Sequence, residues 1–151
     1  MAATTLPQRS IRPMPQVKLL STSRLSRTAN IAGRRPLFGC AILIVEDEPL
    51  IALDLHAALF DAGAGIIAAT DAKEALRLIN RNEISAAIID VKLGDWDSLD
   101  VCQALFHRRV PFLFHTGHAE ADLVKAWPEV PVLVKPAWAS EIVERIMDLV
   151  H

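Results

Sequence analysis

Four short runs in this chain end in side chains that can do charge-based chemistry. The apolar run 41–45 is followed by three consecutive acids, Glu46, Asp47 and Glu48. Asp90 closes a second run, Thr116 and Gly117 follow a third, and Lys135 with Pro136 follows a fourth. Every acidic donor here is oxygen and no Cys or His cluster accompanies them, so a hard divalent cation is the metal they suit. Two carboxylates 4 Å apart repel by about 4 kcal/mol at an effective dielectric of 20. Gathering them therefore requires a cation, and Lys135 is the protein cation that ends such a run.

The segments between these residues must bring them together. Apolar runs at 41–45, 66–69, 85–90, 110–115 and 132–134 read as strands. Helical periods alternate with them. The first spans 49–62, with Ile51, Leu55, Ala58 and Leu59 inward and Gly63 as its stop. The second spans 71–81, with Ala72, Ala75, Leu76 and Ile79 inward and Asp71/Glu74 spaced as a capping box. The third spans 98–107, with Val101, Cys102, Leu105 and Phe106 inward. A helix of at most two turns fits 119–126, halted before Pro128. The last spans 138–150, with Ile142, Val143, Ile146 and Leu149 inward.

Strands that are apolar throughout, rather than alternating, belong to a parallel sheet covered on both faces. The expectation is an α/β, flavodoxin-like, doubly wound five-stranded parallel sheet in the order 2-1-3-4-5. Ligands of such sheets bind at the carboxyl ends of the strands near the switch point. Strands one and three are then neighbours, and Asp47 and Asp90 converge.

Composition sets the outer bounds. The 151 residues suit one domain with a tail. Residues 1–38 form a basic extension rich in Pro, Ser and Arg, in which little fixed structure is expected. A solvated extension, a basic interaction arm and an organelle address all remain open for it. Residues 39–151 form the folded body. Residues 1–40 hold seven basic and no acidic side chains, whereas 41–151 hold nine basic and eighteen acidic ones. That acidic body argues against nucleic-acid binding, which depends on phosphate neutralisation. No apolar run approaches the length of a membrane helix. Two cysteines, Cys40 and Cys102, read as reduced thiols in a cytoplasmic protein.

Four motifs together carry a specific resemblance: "LIVEDEP" (43–49), "AAIIDVKLGD" (86–95), "FHTGH" (114–118) and "VLVKP" (132–136). The body resembles the response regulator receiver domain of two-component signalling, a CheY-like fold. The resemblance implies that Asp90 is the phosphoacceptor, forming an acyl phosphate in a Mg2+-dependent reaction. It implies Asp47 as a direct metal ligand, Glu46 as its acidic partner acting through water, and the backbone carbonyl of Lys92 as the third protein ligand. Thr116 would hydrogen-bond the phosphoryl group, and Lys135, before a cis Lys135–Pro136 bond, would pair with it. The implied partner is a histidine kinase or histidine phosphotransfer protein. The implied role is a single-domain response regulator that signals by protein contact or acts as a phosphate sink. It is a phosphoacceptor, not a turnover enzyme.

The match also departs from the common pattern. Val132 stands where receivers often carry Tyr or Phe, and Ala137 replaces the common Phe after Lys-Pro. The short interval between Thr116 and Lys135 and the F-x-T-G strand end look similar to single-domain receivers serving kinases of the HWE and related classes. The alternative function is a degenerate receiver that docks without phosphorylation. An aspartyl phosphatase is disfavoured, because Lys92 stands where a second acid is usual. His115 and His118 read as surface or rim packing, with tuning of the phosphoryl lifetime as the alternative, and Trp127 and Trp138 as edge-of-core residues, with a partner surface as the alternative.

Overall fold

The computed structural model describes residues 34–91, 96–117 and 121–151. Its sheet contains β1 (Ala41–Val45), β2 (Gly65–Ala69), β3 (Ala86–Asp90), β4 (Phe112–Thr116) and β5 (Val132–Val134). All pairings are parallel and the order is β2-β1-β3-β4-β5. Between the strands run α1 (Pro49–Asp61), α2 (Ala72–Arg81), α3 (Trp96–His107) and α4 (Asp122–Ala126), and α5 (Ala139–Val150) closes the described chain. The doubly wound α/β architecture expected from the sequence is the one observed.

Strand alternation sorts the core into two layers. Ile42, Ile44, Ala86, Ile88, Leu113 and Leu133 pack with Leu55 and Leu59 of α1 and Ile142 and Ile146 of α5. Leu43, Ala87, Ile89, Phe112 and Phe114 pack with Ala75 and Ile79 of α2 and Val101 and Leu105 of α3. Each buried aliphatic or aromatic side chain contributes roughly 1.5–3 kcal/mol. Because both faces are covered, each strand reads as an unbroken apolar run. The same alternation aims the residue after each run: Glu46, Asp90 and His115 fall on the α1/α5 side.

Local signals explain the boundaries. Asp71 Oδ1 accepts from the Glu74 amide at 2.8 Å and caps α2. Glu74 reaches back to the Thr70 amide, one residue earlier than a capping box has it. Gly63 ends α1 with φ of 98°, and a Cβ there would lie 2.7 Å from Arg35 Cβ. That close approach lets Leu37 enter the core fully buried, its amide donating to the Ala62 carbonyl at 3.0 Å. Leu37 thus packs as a core residue although it precedes residue 39.

Three expectations need correction. The fourth strand begins at Phe112, not at 110, because the Val110 amide serves the end of α3, donating to the Leu105 carbonyl after Arg109 takes φ of 58°. Phe106 is not inward: it is 63% exposed and meets Trp127 edge-on at 5.7 Å, since Val101, Cys102 and Leu105 fill the space over the sheet. Trp138 precedes α5 as its N-cap residue and is 81% exposed, not packed at the core edge.

Truncating Leu37 should therefore behave as a core mutation. Leu37→Ala is expected to cost about 2–4 kcal/mol in denaturant unfolding; a loss under about 0.5 kcal/mol, the size of a surface substitution, would place residue 37 outside the folding unit.

Candidate functional site

At the carboxyl ends of β1 and β3, the side chains of Glu46, Asp47 and Asp90 come together. Among the described residues these three carboxylates form a cluster in which one ligand atom from each lies within 4.8 Å of the others. Glu46 is buried, Asp90 half-buried and Asp47 exposed. They line a cavity of about 200 Å3 with Thr70, Asp71 and Ser98. The cluster has the all-oxygen donor chemistry of a site for a hard divalent cation.

Lys135 answers this negative charge. Its Nζ lies 2.8 Å from Glu46 Oε2 and 3.0 Å from Asp90 Oδ1. β5 delivers it there: the Lys135 amide donates to the Thr116 carbonyl at 3.0 Å, and the Lys135–Pro136 peptide bond is cis. Burial pulls the ammonium pKa down, but the hydrogen bonds to Glu46 and Asp90 outweigh it and hold the lysine above its ordinary value. Burial pushes the Glu46 carboxyl up, assisted by Asp90 and opposed by Lys135 and the Glu48 amide. That amide donates to Glu46 Oε1 at 3.0 Å. Glu46 is thus the inner tie that holds Lys135 and also the chain entering α1.

Thr116 is fully buried, and its Oγ1 donates to the Val91 carbonyl at 3.1 Å. The hydroxyl thereby links the end of β4 to the chain leaving Asp90. Lys92, whose carbonyl was expected as a ligand, lies outside the described residues, as does His118. The sequence reading missed the Lys135–Glu46 ion pair and the burial of His115. That histidine is 4% exposed, and among the described residues neither ring nitrogen has a hydrogen-bond partner. Asp90 and His115 are register partners on β3 and β4, and it is this sheet pairing that marks the position as core.

Residues 42–147 match the family described as the response regulator receiver domain. The chain belongs to this family. The receiver is 32% identical over 110 residues to the transcriptional regulatory protein PdtaR of Mycobacterium tuberculosis, covering 70% of this chain and 54% of that protein. It is 32% identical over 138 residues to the phyllosphere-induced regulator PhyR of Methylorubrum extorquens, covering 85% and 52%. The chain spans about half the length of these curated relatives. A crystal structure of the response regulator protein TrrA from Thermotoga maritima, in complex with Mg(2+)-BeF, superposes with a TM-score of 0.63 at 25% identity, covering 73% of this chain and 98% of that one. Among the described residues of the receiver, no helix is long and apolar enough to cross a membrane.

The buried histidine gives the receiver a pH signature. Burial, reinforced by Lys135, lowers the His115 pKa from 6.5 to about 4. A depressed folded-state pKa means the unfolded chain binds the proton more tightly, so this contribution is complete above pH 6.5 and is lost as pH falls toward 4. Unfolding free energy should drop by on the order of 3 kcal/mol across that window. In His115→Leu this component should vanish; an identical acid loss in that variant would assign the drop to other groups.

Proposed function

We propose that this receiver takes a phosphoryl group onto Asp90 from a histidine kinase or a histidine phosphotransfer protein. The observation that carries the reading is the placement of Lys135 Nζ 3.0 Å from Asp90 Oδ1, beside a carboxylate cluster suited to a divalent cation. An Asp90 oxygen attacks phosphorus while the P–N bond to the donor imidazole breaks. The bonding pair leaves with the ring nitrogen, which takes up a proton. The product is an acyl phosphate on Asp90.

A carboxylate attacking an anionic phosphoryl group faces electrostatic repulsion, so catalysis here is positioning and charge neutralisation. Mg2+ is the cation proposed for Asp47 and Asp90, with Glu46 beside them and the Lys92 carbonyl implied by family resemblance; when bound, it supplies Lewis-acid stabilisation of phosphoryl oxygens. Lys135 neutralises charge from the other side. It is already held by Glu46, so little reorganisation is needed as charge develops.

The modified aspartate gains negative charge and strong acceptor oxygens. Thr116 then exchanges its bond to the Val91 carbonyl for one to a phosphoryl oxygen and draws the end of β4 toward residue 90. The consequence is a two-state change read by protein contact, or simple storage of phosphate as a sink. In this reading the domain is a phosphoacceptor and does not turn over a separate substrate. We place it in the cytoplasm, where Cys40 and Cys102, both free thiols, stay reduced.

The test is labelling by a small acyl phosphate. Mg2+-dependent incorporation is expected, abolished by chelation and in Asp90→Asn, and reduced by roughly tenfold or more in Lys135→Met, which loses a charge-assisted contact. Undiminished labelling of Asp90→Asn would overturn the assignment. Kinase binding that ignores this substitution in a chain that never labels would favour a docking module.

A further inference from the structure

His115 is an expensive residue to bury. Each unpartnered polar atom in a core costs about 1–3 kcal/mol, and here both ring nitrogens are in that condition. Leucine would fit the α1/α5 layer without that cost. The surroundings point to what the ring does. His115 follows Leu113 on the same face of β4 and is the register partner of Asp90 on one side and Leu133 on the other. Glu46, Asp90 and His115 therefore form a row across the strand ends, with Lys135 arriving beside it. His115 and Lys135 also line one cavity of about 330 Å3, walled by Ile51, Leu55, Pro136 and Ile142 and with the exposed Asp54 among its lining residues.

Charge decides which partner the ring suits. A second cation beside the Lys135 ammonium would be repelled, so the ring suits the position as a neutral imidazole, with one nitrogen a donor and the other an acceptor. The Lys135 ammonium has three hydrogens, and its contacts to Glu46 and Asp90 account for two. A neutral acceptor beside an ammonium adds a hydrogen bond without adding charge. A third carboxylate in that position would instead compete with Asp90 for the lysine.

We propose that His115 is a positioning residue for Lys135: turned about its Cβ–Cγ bond, the ring brings one nitrogen to accept from the ammonium in the cavity they share. The proposal rests on the reading of Lys135 as the cation that pairs with the phosphoryl group. With this third tether, Lys135 stays aimed at residue 90 when its contact to the Asp90 carboxylate is rearranged by phosphorylation.

The experiment uses the full chain, Mg2+ and acetyl phosphate. His115→Leu is expected to label about tenfold more slowly, the weight of one hydrogen bond to a charged group, while its thermal midpoint does not fall. His115→Gln keeps a donor and an acceptor and is expected to label within about threefold of the wild-type rate. A merely structural role would move midpoint and rate together and would not be rescued by glutamine. The 15N resonances of the His115 ring add a second readout: the unprotonated nitrogen should carry the shift of a hydrogen-bonded acceptor. A wild-type rate in His115→Leu, a glutamine variant as slow as leucine, or an unbonded acceptor nitrogen each overturns the proposal. If the wild-type chain fails to label, or Asp90→Asn still labels, the phosphoacceptor reading fails and takes this proposal with it. If Asp90→Asn is silent and His115→Leu labels normally, the positioning role alone is lost.

Discussion

Mutual repulsion among the carboxylates at the ends of β1 and β3 is the constraint around which this fold is arranged. Three acids within 4.8 Å are unfavourable unless positive charge is supplied. One cation comes from the chain itself. Lys135 sits 2.8 and 3.0 Å from Glu46 and Asp90, and its position depends on β5, an edge strand of only three residues. The remaining negative charge is what a divalent ion can answer, and the partly exposed cavity beside Asp47 leaves room for it.

Packing turns that electrostatic arrangement into geometry. The two core layers hold β1 and β3 side by side, with Val45 paired to Ile89 one residue before the acids. Glu46 and Asp90 then share a face by alternation, and β4 adds His115 to the row. Asp47 falls on the opposite parity and reaches the cluster from the start of the loop. Thr116, also off the row, instead bonds to the carbonyl of Val91. The site thus divides into a half tied through Glu46 and Lys135 and a half held by a single hydroxyl, which the proposed phosphorylation would rearrange. That division is what a switch requires, because one part must hold the chemistry while another reports it.

Much of this was legible from the sequence because parallel strands covered on both sides leave unbroken apolar runs, and a charged residue ending such a run marks the strand's carboxyl end. The capping pair Asp71/Glu74 and the stop at Gly63 were readable for the same local reasons. Other features depend on tertiary contacts and were not. Leu37 looks like part of the basic extension until the close approach at Gly63 is seen. Phe106 obeys the helical period yet leaves the core, since the stripe was already full and Trp127 offered a partner outside it. Glu46 looked like a distant helper of the metal, but its burial makes it the anchor of Lys135. His115 was hidden by its own chemistry: a polar residue near a strand end reads as rim, and only the register with Asp90 reveals it as core.

In the proposed reaction the carboxyl of residue 90, and no other side chain, receives the phosphoryl group. Mapping the modification decides it most directly: the chain is phosphorylated by its donor, the acyl phosphate is reduced by hydride, and the converted residue is located by mass spectrometry. Conversion of aspartate to homoserine at position 90 alone is the expected result. Conversion at Asp47, or a stable phosphoryl group on a serine, threonine or histidine, would contradict it.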